Sequence, residues 1–327
     1  MNLTSKTNVK STIDLDAVLD FIIMPTLLVL GVVGNSLTIR VMMMPQCWML
    51  SVSKFLIALS LSDLIVNMMS PFNELLVHRL LGGDPRALSI GGCKFFFWLY
   101  GVGKYSSSWL VVIILVERFV AVWWPTRAEF INTNRNAYVI IGLMYGLFSV
   151  YLAYYVINSY RIVNGRCIKG SVILEKGDQN APLYLVNLSI YVLIPMLILV
   201  TLTGLIIYRL LGLIEKRRCQ IRDIARVVQI GGRKRNSLIR TTRMLIGISL
   251  AFVLLEIPSA VSHLISAFKN ENIFDTINQP MRVYKKIATI MEQLNHSINF
   301  VLYVLTCKIF RESVASLCRK KQQGLLS

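Results

Sequence analysis

The sequence predicts an all-α protein, a seven-transmembrane helix bundle followed by a short cytoplasmic amphipathic helix. Three observations carry this. The 327 residues are 55% hydrophobic and only 16% charged, with mean hydropathy +0.59, whereas soluble domains average about 25% charged residues. The apolar residues form continuous blocks rather than amphipathic stripes, and each block is long enough to cross about 30 Å of hydrocarbon. The charge lies in the connections. A net charge of +18 would otherwise suggest a nucleic-acid partner, but with such blocks it describes a polytopic membrane protein with basic loops, and no nucleic acid is expected. The same composition sets aside a disordered chain, a disulfide-rich secreted module and a cytosolic enzyme.

The blocks fall near 19–44, 53–78, 91–124, 136–158, 183–211, 240–268 and 284–305. The first is preceded by Asp14 and Asp16 and contains Asp20. It therefore lacks a basic leader, is too long for a signal core, and is expected to be a true span. The seventh, KKIATIMEQLNHSINFVLYVLT, carries so many polar groups that it must face protein or water rather than lipid. Residues 209–243, between blocks five and six, hold eleven Lys and Arg against Glu215 and Asp223. The tail from 306 is also basic, and the first twenty residues are slightly acidic. The positive-inside bias then puts the N-terminus outside and the tail in the cytosol. The expected divisions are an extracellular N-terminus at 1–18, the seven-span body at 19–305, and the amphipathic helix with cytoplasmic tail at 306–327.

Under that topology Cys93 and Cys167 are the two outer cysteines of six, and a disulfide between them is expected. Cys47, Cys219, Cys307 and Cys318 face the reducing side. In the segment CKIFRESVASLC, residues 307–318, Phe310, Val314, Leu317 and Cys318 share one face opposite Lys308 and Arg311. This is the pattern of an interfacial helix against the lipid bilayer. Cys318 is placed for palmitoylation there; the alternative is an unmodified thiol. Asn2-Leu3-Thr4 is a glycosylation sequon and Ser237, after Arg233-Lys234-Arg235, a phosphorylation candidate or simply a solvated loop serine.

Polar residues inside the spans are the informative ones. Gly34-Asn35 lies in span one, Asp63 in span two, and Glu117-Arg118-Phe119 at the end of span three. Phe252 and Glu256-Ile257-Pro258 lie in span six, and Asn295-His296 with Asn299 to Tyr303 in span seven. Together, and with Cys93 placed 25 residues before Arg118, these motifs resemble the rhodopsin-like (class A) G-protein-coupled receptors over essentially the whole chain. Within that family the phrases Thr241-Thr242-Arg243-Met244-Leu245, Glu256-Ile257-Pro258 and Asn299-Phe300-Val301-Leu302-Tyr303 are similar to invertebrate neuropeptide receptors of the FMRFamide and myosuppressin kind. The chain departs from the family where Glu256 replaces the tryptophan of the activation switch and Thr203 replaces a tyrosine of span five.

The resemblance implies an extracellular peptide ligand, a heterotrimeric G protein and possible arrestin binding as partners. It implies coupling through Glu117, Arg118 and Phe119, and switching through Phe252, Pro258, Asn299 and Tyr303. No acidic residue stands at the foot of span six, so basal activity is expected. Gln293 stands where opsins carry the retinal lysine, and Tyr100 where amine receptors carry an aspartate, which excludes both ligand classes. The expected ligand-contacting residues are Tyr100, Lys104, Glu256, Glu292 and Gln293.

Depth arithmetic adds to this. At about 1.5 Å rise per residue, Lys104 lies about 21 Å from Arg118, Glu256 about 20 Å from Arg243 and Glu292 about 21 Å from Thr306. These three charges therefore share one layer, and an unpaired charge near mid-membrane costs about 2.5–3.5 kcal/mol on insertion scales. Lys104 is expected to pair with Glu256, or to be shared with Glu292, either as a latch opened by ligand or as a constitutive ion pair. A deeper layer holds Asn35, Asp63, Ser107, Asn295 and Asn299. By resemblance Asp63, Ser107, Asn295 and Asn299 would hold a sodium ion as allosteric modulator; the alternative is a protonated or hydrogen-bonded Asp63 in a water-filled network. No other cofactor is expected. There is no nucleophile with an oriented base, no phosphate loop and no metal cluster, so no enzyme is expected. Two other readings stay open: a receptor for a small lipid or metabolite, and an ion- or proton-coupled transporter using Lys104, Glu256, Asp63 and His296 as a relay.

Overall fold

A computed structural model describes residues 18–73, 82–169, 181–221, 229–269, 279–306 and 310–317. Asn2, Cys307 and Cys318 lie outside them, as do the side chains of Cys219, Ser237 and Arg243. Seven long helices form the body: α1 (Met24–Met42), α2 (Ser51–Asn73), α3 (Ile90–Trp123), α4 (Asn134–Ser159), α5 (Ile194–Ile221), α6 (Gln229–Lys269) and α7 (Gln279–Thr306). The first six contain segments long and apolar enough to cross a membrane. The seventh falls short because of its polar residues, as its sequence leads one to expect. α5 and α6 run beyond the expected 211 and 240, because the helix continues past the apolar block into the basic connection.

Each helix end has a local cause. Ser89 caps α3 by accepting from the Gly92 N–H (2.9 Å), and Thr133 caps α4 by accepting from the Asn136 N–H (3.2 Å). Trp124-Pro125 stops α3, since proline restricts the residue before it. Two prolines leave another mark. Pro25 and Pro195 are each preceded by a π-helical turn, Leu19–Ile23 and Ser189–Leu193. Ahead of the second turn, Ala181–Leu188 is helical and continuous with α5.

At this second turn the backbone register slips, so the Ile194 N–H bonds Ser189 O rather than Ile190 O. Pro195 has no N–H for Tyr191 O. Side chains of α3 supply both missing donors: Trp109 Nε1 reaches Ile190 O (3.0 Å) and Ser108 Oγ reaches Tyr191 O (3.1 Å). α5 is thereby fixed to α3 by backbone groups that its own helix leaves open.

α2 and α3 are the central helices. The apolar windows of α2 and α3 are 67% and 56% buried, against 22% for α4. α2 packs on both α1 and α3, and α7 closes the ring against α1 and α6. Gly103 allows the tight α2–α3 crossing, since a Cβ there would lie 3.0 Å from Ile65 Cγ2 and 3.2 Å from Ser62 O. Tyr145 joins α4 to α2 through Ser62 (2.5 Å) and Ala58 O (3.1 Å).

At one end a hairpin, β1 (Tyr160–Val163) antiparallel to β2 (Arg166–Lys169), is tied to α3 by the Cys93–Cys167 disulfide, Cα–Cα 5.7 Å. The expected bridge is therefore present. At the opposite end residues 310–317 are helical. Phe310 is buried between Phe300 and Tyr303 (centroids 5.6 and 5.4 Å), and Arg311 Nη1 caps α7 at Val304 O and Leu305 O. Val314 and Leu317 are half-buried against the core.

Candidate functional site: a charged layer above a buried polar network

The expected charged layer exists, and its pairing is specific. Lys104 of α3 forms its ion pair with Glu292 of α7, not with Glu256. Tyr191 donates to Glu292 Oε1 (3.0 Å) and Ser259 to Oε2 (3.2 Å). The Lys104 ammonium also lies 4.7 Å from the centre of the Tyr191 ring and 5.3 Å from that of Tyr100. Glu256 Oε1 instead accepts from Asn295 Nδ2 (3.1 Å), while Glu256 Oε2 is buried with no hydrogen-bond partner among the described residues. Depth alone placed the three charges together. Which carboxylate meets Lys104 depends on helix rotation, and α7, not α6, turns its acid toward α3.

The deeper layer is centred on Asp63, which is fully buried. Its Oδ1 accepts from Ser107 Oγ (2.6 Å) and lies 2.8 Å from His296 Nδ1, while Oδ2 accepts from Asn299 Nδ2 (2.7 Å). Asn295, expected in this set, is turned up to Glu256, and His296 takes its place. Asn35 Nδ2 donates to His296 O (3.0 Å), so α1 joins the same network.

Sequence reading missed Asn67. Its Nδ2 donates to Asp63 O (2.8 Å) and His296 O (3.0 Å), and its Oδ1 accepts from Gln293 Nε2 (2.5 Å) and Ser297 Oγ (2.9 Å). Gln293, expected at the ligand, thus points into the α2–α7 seam. The available signal was spacing: Asn67 lies one helical turn beyond Asp63. Gly31 makes room for Asn67, since a Cβ there would lie 2.4 Å from its Oδ1. Tyr191 and Ser259 were also missed, having no sequence mark beyond residue type.

Of the expected switch residues, Phe252 sits in the apolar core and Tyr303 is fully buried with its hydroxyl unpartnered. Pro258 lies inside α6, which continues through it, and its carbonyl accepts from Tyr284 (2.9 Å). At the far end of α3, Ser51 donates to Glu117 Oε1, and Arg118 Nη2 is 3.6 Å from Glu117 Oε2. Among the described residues Arg118 Nε has no hydrogen-bond partner. Phe119 packs on Trp123 and Trp124 (both 5.7 Å).

The hairpin end has its own electrostatic clasp. Asp84 Oδ1 accepts from Arg86 N and Nε, and Oδ2 from Arg86 Nη2 and the Cys167 N–H (3.0 Å). Burial pushes this carboxyl up, but the hydrogen bonds and charge of Arg86 and the Cys167 N–H outweigh it and hold it below the usual range.

Seven helices, the disulfide-tied hairpin and the Asp63 network define a heptahelical membrane receptor, and residues 34–303 match the 7 transmembrane receptor (rhodopsin family). The chain belongs to that family. It is 25% identical over 288 residues to the neuromedin-U receptor 2 of Mus musculus, covering 86% of this chain and 71% of that one. It is also 24% identical over 319 residues to the thyrotropin-releasing hormone receptor of Homo sapiens, covering 90% and 76%.

Proposed function

We propose that this is a plasma-membrane receptor for a peptide, entered from the hairpin end and signalling to a heterotrimeric G protein at the Arg118 end. The observation that carries the ligand class is the layer of Lys104, Glu292 and Glu256, roofed by Tyr100 and Tyr191. Such a floor suits an amide or cationic peptide terminus and repels an aliphatic lipid tail. The names of the matched relatives, receptors for neuromedin-U and thyrotropin-releasing hormone, support the same reading. The finer resemblance to FMRFamide and myosuppressin receptors is included in the proposal as a pointer to small amidated peptides.

In this reading the N-terminus and hairpin are extracellular, and the basic 209–243 connection and the 306–327 tail are cytoplasmic. Arrestin is a second cytoplasmic partner, and Cys318 a lipidation site beside the 310–317 helix. Ligand contact with Glu292 or Glu256 competes with Lys104 and Asn295, and so alters the hold of α7 and α3 on α6. Arg118, held only loosely by Glu117, then meets the G protein. Sodium at Asp63, Ser107 and Asn299 is the counter-charge alternative to a proton on His296.

The test is G-protein activation in transfected cells exposed to fractionated tissue extract, each fraction assayed before and after protease digestion, with Arg118→Ala cells in parallel. The expected result is protease-sensitive activation that Arg118→Ala abolishes. Activation that survives protease would replace the peptide with a small molecule, and activation that survives Arg118→Ala would refute the coupling role.

A further inference from the structure

We propose that Glu256, Glu292 and His296 form a binding site for a divalent transition-metal cation, zinc by its ligand chemistry, which rivets α6 to α7 beneath the ligand pocket. The three residues each offer a ligand atom, and these atoms all lie within 4.8 Å of one another. They are 1%, 9% and 1% exposed. Glu256 Oε2 and His296 Nε2, both capable of binding a metal, are buried without a hydrogen-bond partner among the described residues. Buried polar atoms are normally satisfied, so two unpaired donor atoms in one cluster are suited to ligation.

The groups that would orient the ligands are already in place. His296 Nδ1 faces Asp63 Oδ1 at 2.8 Å. A carboxylate on Nδ1 fixes the tautomer that leaves the Nε2 lone pair for a metal. Asn295 steadies the other Glu256 oxygen, and Tyr191 and Ser259 orient Glu292. Metal–ligand bonds of about 2.0–2.2 Å hold tetrahedral ligands about 3.4 Å apart. Closing from within 4.8 Å draws the three ligand atoms inward. An imidazole with two carboxylates suits zinc, whereas magnesium and calcium prefer oxygen alone. Three protein ligands leave a fourth position for water or an exogenous donor.

Charge leads to the same conclusion. Asp63 on α2, Lys104 on α3, Glu256 on α6 and Glu292 on α7 sum to a net −2 when His296 is neutral. Tyr100 and Tyr191 face the upper charges, Tyr145 and Tyr303 lie within electrostatic reach of Asp63, and His263 on α6 lies within reach of Glu292. A buried cluster does not sustain that charge. Two protons or one divalent cation neutralise it, so metal and protons compete for the same site. The inference does not depend on the peptide reading, because the metal is tested without any peptide.

The experiment uses the purified full-length chain in lipid nanodiscs, stripped with chelator. Zinc chloride is titrated by calorimetry, with sodium chloride at matched ionic strength as control, and cobalt chloride is followed by visible absorption. One saturable zinc per chain is expected, with intense cobalt bands of low coordination number. Glu256→Gln and His296→Gln should each weaken binding roughly tenfold or more. Lys104→Gln should tighten it, and lowering the pH from about 7.5 to 6 should weaken it. If His296→Gln does not fold, Glu256→Gln, which can keep the Asn295 hydrogen bond, carries the test. No saturable binding, or wild-type affinity in Glu256→Gln, overturns the site.

Discussion

Lys104 shows how a single side chain is held in an apolar setting. It meets one carboxylate and two aromatic faces, and its carboxylate partner meets two hydroxyls, so little of either charge is left without a partner. Breaking one side of such a buried pair costs about 3–5 kcal/mol, largely because the remaining charge is stranded. Lys104→Gln and Glu292→Gln should therefore each lower the melting temperature of the purified receptor markedly. The double variant should recover much of that loss, and a strictly additive double variant would contradict the pairing. At this scale the sequence was informative about depth and silent about azimuth. Counting residues placed Lys104, Glu256 and Glu292 in one layer. It could not tell that α7 turns Glu292 to α3 and Asn295 to Glu256, because both choices keep the same height. The orphaned Glu256 and His296 atoms were invisible for the same reason, although Glu292 and His296 stand four residues apart on one face of a helix.

The helices were legible as apolar lengths, while the caps at Ser89 and Thr133 and the stop at Pro125 came to light only in the structure. The π turns before Pro25 and Pro195 were not legible either, since a proline announces a disturbed helix without saying how the backbone absorbs it. In α5 the answer lies on another helix, where Ser108 and Trp109 present donors at the heights of Tyr191 O and Ile190 O. This makes a separable prediction. Ser108→Ala leaves a buried carbonyl unpaired and should cost about 1–3 kcal/mol. In a Pro195→Ala background position 195 regains an N–H for Tyr191 O, so the same substitution should cost less. Thermal melts of the four proteins measure the difference, and equal costs in both backgrounds would show that Ser108 does not substitute for the missing amide.

On the scale of the whole molecule, the seven-span order and the disulfide were readable because hydropathy and compartment act on long stretches of chain. The interior network was readable only in part. Asp63, Ser107 and Asn299 stood out as polar residues in apolar surroundings, while Asn67 joins α1, α2 and α7 through contacts that only the assembled bundle creates. α7 depends on that bundle most, since the polar residues it buries are the ones that keep it from crossing a membrane on apolar character alone. Its last crossing is therefore a late event in biogenesis. The translocon can hand the first six spans to lipid on hydropathy, but it must hold α7 until Asn35, Asp63 and Asn67 are waiting for it. Glycosylation mapping in microsomes should find α7 inserted in the full chain and left out when α1 and α2 are deleted, with α6 inserted in both. Substitutions in α1 or α2 that touch no ligand would then reduce the amount of receptor at the cell surface by stranding its seventh helix during synthesis.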